Sequence, residues 1–177
     1  MTDCSALSEL IRNAKWQDDT PLSQYFLPND LRGWLCTKGS LTAALRQISN
    51  NSFEVEVVSQ TKRTPFNGEA KLLNLKVTSV AAVREVKLKI YDEPVIFARS
   101  VIPMKLALPG RFGLNNLGKT PLGHLLFKDG KMRASRREFA TLIVGAEKVH
   151  ARRTPYEYRD SSILVSEFFL PSLKKYI

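Results

Sequence analysis

Between Val83 and Ile102 the chain reads as two strands folded back on one another, and that pair constrains everything around it. Val83, Val86, Leu88 and Ile90 are separated by Arg84-Glu85, Lys87 and Lys89, close to the period of two that a half-buried strand requires. Tyr91-Asp92-Glu93-Pro94 supplies turn chemistry, and Val95 to Ile102 reads as the returning partner. Phe53-Glu54-Val55-Glu56-Val57 shows the same alternation upstream, and Phe139–Val144 and Ile163–Leu170 complete the strand-like runs. Strands joined by short turns pair antiparallel, because a parallel partner needs a crossover of a dozen or more residues.

The part of the chain before Asn51 carries a different period. Residues 5–14 place Leu7, Leu10, Ile11 and Ala14 on one helical face. Asn29 or Asp30 is suited to cap a second helix running through Leu31, Trp34 and Leu35. Ser40 is suited to cap a third, whose Leu41, Ala44, Leu45 and Ile48 recur at helical spacing. Helices first and strands after predict an α+β fold, an antiparallel sheet with helices on one side. At 177 residues a single domain over 1–177 is expected, long enough to bury roughly 70% of its unfolded surface.

Several function classes find little support. Apolar stretches such as Ile163-Leu164-Val165 fall far short of the ~20 residues that span a bilayer. Met1-Thr2-Asp3-Cys4-Ser5 shows no basic leader with an apolar run, so a cytoplasmic protein without stable membrane insertion is expected. Cys4 and Cys36 do not make a disulfide framework, and His124 and His150 have no Cys or carboxylate at ligand spacing. No metal and no cofactor are therefore expected. The formal charge is +10, and between Lys128 and Arg153 eight basic residues face three acidic ones. Such a surface serves nucleic acid, anionic lipid or an anionic small substrate, or is simply solvated. No stacking-aromatic motif or reader element accompanies it, so nucleic acid is not the expected partner.

Gly113 to Thr120 matches the phosphate-loop pattern GxxxxGK[ST] letter for letter. That loop works only after a buried parallel strand and at the start of a helix. Here it follows Pro103 and Pro109-Gly110, among antiparallel strands, with no apolar strand ending in a Walker-B aspartate. The segment is expected to be a loop entering a helix, with Pro121 in its first turn.

Read onward, Leu117-Gly118-Lys119-Thr120-Pro121-Leu122-Gly123-His124-Leu125-Leu126-Phe127 resembles the LGKTPLGxxLF segment of the chorismate pyruvate-lyase family. Three further pieces agree in order. Val83-Arg84-Glu85-Val86, Glu93-Pro94 and Ala98-Arg99-Ser100-Val101-Ile102-Pro103 resemble the family's xREI…EP…GRTVVP. Ala151-Arg152-Arg153-Thr154 resembles its GRRS, and Ile163 to Pro171 its LLLTELFLP. The resemblance implies a monomer with a six-stranded antiparallel sheet flanked by helices, and a ligand enclosed beneath helical flaps. It implies a cofactor-free enzyme splitting chorismate into 4-hydroxybenzoate, the ubiquinone precursor, and pyruvate. By the same resemblance Arg84 grips the ring carboxylate, Glu167 meets the hydroxyl end, Leu122 contributes backbone, and Leu41 belongs to the N-terminal flap.

The residues suit that chemistry. Losing the enolpyruvyl ether together with the C4 hydrogen aromatises the ring, with no need of a redox cofactor, metal or covalent nucleophile. The site must recognise two anions and exclude water. Arg84 can bind a carboxylate bidentately, and Arg99 is the candidate for the second clamp, against the alternative of an ion pair at the sheet edge. Glu167 is the one acid in an apolar run, where desolvation raises a carboxyl pKa unless a partner compensates. Stepwise acid–base chemistry and intramolecular hydrogen transfer both remain open. The rival function is a non-catalytic aromatic-carboxylate binder related to the effector-sensing domains of transcription regulators. With about fifty residues ahead of the strands, a DNA reader preceding a lyase-like domain is not expected.

Overall fold

A computed structural model of the chain describes residues 4–107, 122–123 and 132–177. The hairpin expected from the alternation sits inside a larger sheet. Strands β3 (Ala81–Ile90) and β4 (Glu93–Pro103) are joined by Tyr91 and Asp92, at φ 48° and 67°. Two consecutive positive φ values match the twist of a tight hairpin. Around it the order is β1 (Gln17–Asp18), β6 (Glu138–Val144), β7 (Glu147–Tyr158), β8 (Ser161–Phe169), β4, β3, β2 (Phe53–Arg63), and β5 (Arg133–Ala134) pairs with β7. Every pairing is antiparallel. Six of the eight strands are long; β1 and β5 have two residues each.

Six α-helices that lie wholly within the described residues accompany the sheet: α1 (Cys4–Asn13), α2 (Pro21–Tyr25), α3 (Asn29–Cys36), α4 (Leu41–Ile48), α5 (Asn67–Leu72) and α6 (Met104–Ala107). They do not lie on one side, as the sequence suggests. Leu31, Leu35, Leu41 and Leu45 of α3 and α4 pack with Val86, Leu88, Ala98 and Phe169 on one face. Ile11 of α1 packs with Phe97, Ala140, Val149 and Phe168 on the other, and Leu72 and Leu73 cover Val83 and Leu164 there. The cause is in β4, where every residue from Val95 to Pro103 is buried. A strand buried on both faces needs cover on both.

Helix starts divide between expectation and correction. Pro28 occupies the position before α3, with Asn29 already inside the helix and no side-chain cap. Ser40 does cap α4: its hydroxyl accepts from the Ala43 amide at 3.3 Å. Ser40→Ala is expected to cost about 1 kcal/mol, a loss of roughly 2–4 °C in Tm by calorimetry. An unchanged Tm would mean the cap contributes nothing.

Candidate active site

On the face covered by α4, the centre of the sheet carries an unusual set of small and polar residues. Strand pairing lines them up in two rows: Arg84, Ser100, Val165, Thr154 and, one pleat along, Val86, Ala98, Glu167, Arg152. Strand β4 runs between β3 and β8, so Arg84 and Glu167 stand two strand spacings apart across the sheet and one pleat along it, about 12 Å between their backbones. Ala98 and Ser100 lie between them, and their short side chains leave the space above unfilled. The cavity holds about 580 Å³, counting the part that opens to solvent. Its wall includes Gly39, Leu41 and Thr42 from the start of α4, with Leu122, Gly123 and Tyr156.

The four residues singled out by the family resemblance (Leu41, Arg84, Leu122 and Glu167) line this cavity. A side-chain carbon on Gly123 would meet Thr42 Oγ1 at 3.6 Å, an ordinary van der Waals contact, so the helix start lies against this residue. The rest of the Leu117–Phe127 segment, the phosphate-loop pattern at Gly113–Thr120 and His124 lie outside the described residues.

The electrostatics are those of a site for an anion. Arg84 is 2% exposed, and burial pulls the pKa of its guanidinium below the ordinary value. A charge held in a desolvated wall gains from an anion placed against it. Burial pushes the Tyr156 phenol up, and the charge of Glu167 adds to the shift. The partner of Glu167 is Arg152, whose Nε donates to Oε2 at 2.5 Å. Arg152 Nη1 also donates to the carbonyls of Trp34, Leu35 and Thr37, at 3.0, 3.2 and 3.0 Å. Arg137 donates to the last two of these carbonyls, at 3.0 and 2.8 Å. Two guanidiniums thus bind the C-terminal end of α3, where helix carbonyls are unsatisfied and partially negative. The chain segment leading into α4 is tied to the sheet beneath the cavity.

Arg99 is not a clamp. Alternation along β4 turns it away from Ala98 and Ser100, onto the opposite face, where it is fully buried. There it meets Glu69 through Nε and Nη2 at 2.7 and 2.9 Å and Glu85 through Nη1 at 2.7 Å. Burial works against this guanidinium's charge, and the two carboxylates outweigh it, so its pKa is raised. The ion-pair alternative is what the fold contains, buried in the sheet rather than at its edge.

Arg152 is the residue that sequence reasoning missed. It lies in β7, a strand masked by the charge of Arg152-Arg153 and by Pro155. Pro155 falls between the last pairing with β6 at Arg153 and the first with β5 at Tyr156. The usable signal was the period of two from Arg152 through Thr154 to Tyr156, all buried on the cavity face.

Among the described residues no cluster of three His, Cys, Asp or Glu side chains could hold a metal ion. No described helix is long and apolar enough to cross a membrane.

Comparison with known proteins extends the resemblance across the chain. The family model described as "Chorismate lyase" matches residues 10–176. A relative from Marinobacter nauticus, named "Probable chorismate pyruvate-lyase", is 37% identical over 80% of this chain and 77% of its own length. Relatives of the same name from Pseudomonas putida and Methylococcus capsulatus are 34% and 33% identical, over 80% and 81% of this chain and 82% and 96% of theirs. Among solved structures, the effector domain of PhnF from Mycobacterium smegmatis matches with TM-score 0.58 at 16% identity, over 76% of this chain and 90% of that one. A GntR-family transcriptional regulator from Bacillus cereus matches with TM-score 0.52 at 11% identity, over 68% and 93%. Identities this low speak for the shared fold alone.

Proposed function

The chain belongs to the chorismate lyase family and is a carbon–oxygen lyase, and on that premise we propose that it removes pyruvate from chorismate and releases 4-hydroxybenzoate, the aromatic precursor of ubiquinone. The proposal includes a cytoplasmic monomer acting on free chorismate. The observation that carries it is the cavity itself: a buried guanidinium at one end, an ion-paired carboxylate whose backbone is about 12 Å away, and small side chains between.

A planar ring with a carboxylate at one end and a hydroxyl at the other fits this arrangement. Arg84 offers two parallel N–H donors to the ring carboxylate. Glu167, held by Arg152, offers a carboxylate oxygen to the C4 hydroxyl. Leu122 contributes backbone, and Leu41 closes the cavity with apolar surface. In the reaction the C3–O bond breaks, the C4 hydrogen leaves, and the enolpyruvyl methylene gains a hydrogen to become the methyl of pyruvate. An ion-paired carboxylate accepts hydrogen bonds and is a poor proton donor. Glu167 is therefore read as orienting the hydroxyl while the enclosed substrate transfers its hydrogen in a reactive conformation.

The test follows 4-hydroxybenzoate and pyruvate together as purified protein meets chorismate in chelator-containing buffer. Equal release of both products is expected. Binding of chorismate without pyruvate release would instead leave an effector-type binder. Glu167→Gln is expected to lower kcat by about 10–100-fold, the worth of one charge-assisted hydrogen bond. A loss of ~10³-fold or more would assign Glu167 a proton-transfer role.

A further inference from the structure

We infer that Arg152 is the second anion contact of the cavity, its Nη2 arm receiving the enolpyruvyl carboxylate of the substrate. The inference rests on the lyase reading above. Chorismate carries two carboxylates, and Arg84 serves only the one on the ring. The guanidiniums that line the cavity, among the described residues, are those of Arg84 and Arg152. Arg99 faces the other side of the sheet, and Arg137 spends its terminal nitrogens on the carbonyls of Leu35 and Thr37.

Arg152 is 2% exposed, and two of its three nitrogens are committed. Nε holds Glu167 at 2.5 Å, and Nη1 holds three carbonyls of the α3 end at 3.0–3.2 Å. The Phe169 ring lies 5.8 Å from the guanidinium carbon. Nη2 has no hydrogen-bond or ion-pair partner among the described residues. The guanidinium is fixed on two sides, so its remaining arm needs no further ordering of the side chain to meet a ligand in the cavity that Arg152 lines.

The substrate's own connectivity picks the same place. The enolpyruvyl ether is on C3, next to the carbon that bears the hydroxyl. Its carboxylate must fall beside the residue that takes the hydroxyl and away from the ring carboxylate. Arg152 pairs directly with Glu167 across β7 and β8, whereas Arg84 lies two strands away. Arg152 thus reads the side chain that is lost as pyruvate, while its other arms hold Glu167 and the flap segment in place.

The discriminating experiment compares the substrate with its product, because 4-hydroxybenzoate lacks the second carboxylate. In Arg152→Lys, which keeps a cation near Glu167 but loses the third arm, KM for chorismate is expected to rise about 10–100-fold. The Kd for 4-hydroxybenzoate, measured calorimetrically, is expected to move less than about 3-fold. Parallel losses would overturn the inference and leave Arg152 acting only through Glu167, as would no change in either. A second measurement needs no variant: wild-type protein is titrated with 3-(1-carboxyethoxy)-4-hydroxybenzoate and with its side-chain amide. The acid is expected to bind about tenfold tighter, the worth of one charge-assisted contact, and equal affinities would overturn the subsite. If wild-type protein turns over no chorismate, the lyase reading itself fails, an outcome distinct from either of these.

Discussion

Arg84→Ala is expected to lower kcat/KM for chorismate by about 10²–10³-fold and to weaken 4-hydroxybenzoate binding to a similar degree. Truncating one partner of a buried, hydrogen-bonded charge pair costs about 2–5 kcal/mol, and each 1.4 kcal/mol is a factor of ten. Arg84 meets the conditions for the middle of that range. It is 2% exposed, it lines the cavity, and burial lowers its pKa. Product affinity and turnover should fall together because substrate and product share the ring carboxylate. Arg84→Lys should recover only part of the loss, since an ammonium cannot present two parallel donors. Pyruvate release and calorimetric titration with 4-hydroxybenzoate measure the two quantities. Near-wild-type values in both would remove Arg84 from the site.

Arg99→Ala should be damaging for a different reason, with a loss of about 3–5 kcal/mol in unfolding free energy from urea titrations. The guanidinium is fully buried, paired to Glu69 and Glu85, with the Phe66 ring 4.2 Å away. Removing it leaves two carboxylates, 3% and 5% exposed, without their shared cation. The pH dependence gives an independent sign. Burial pushes the Glu85 carboxyl up, but hydrogen bonds from Ser59 and Arg99 and the charges of Arg99 and Arg63 outweigh it. Its folded pKa lies below the unfolded one, so its stabilisation is present above the ordinary glutamate pKa and fades as pH falls through the folded value. The gap between wild type and variant should be widest near neutrality and shrink in acid. A gap that is constant with pH would show that lost packing, not charge, carries the effect. Ala98 and Ser100 flank Arg99 on the same strand, so any loss of turnover in this variant follows from the strand they share.

How far the fold was legible can be judged strand by strand. The pattern from Val83 to Ile102 specified a hairpin, and the structure contains it as β3 and β4. Ser40 and the spacing of Leu41 and Leu45 specified α4, and both leucines are buried. Strand β7 was not legible, because Arg152, Arg153 and Pro155 argue against a buried strand when their partners are unknown. Glu167 and Glu138, on neighbouring strands, help make those arginines tolerable inside. The helix over residues 67–72 was too short to show a period.

For the site, collinear segments singled out Arg84, Glu167, Leu41 and Leu122, and all four line one cavity. Which arginine stands beside Glu167 was beyond the reach of the primary sequence. Arg99 and Arg152 occupy comparable motifs, yet one faces the cavity and the other faces away. Strand period divides residues into two faces but does not say which face is hollow. In a sheet with apolar residues on both sides, the polarity pattern that would mark the outside is missing. Sequence alone determined the local elements and the family resemblance, because period, turn chemistry and motif order are properties of the chain. The tertiary structure decided which face the arginines share, because that depends on strand order and on what the helices cover.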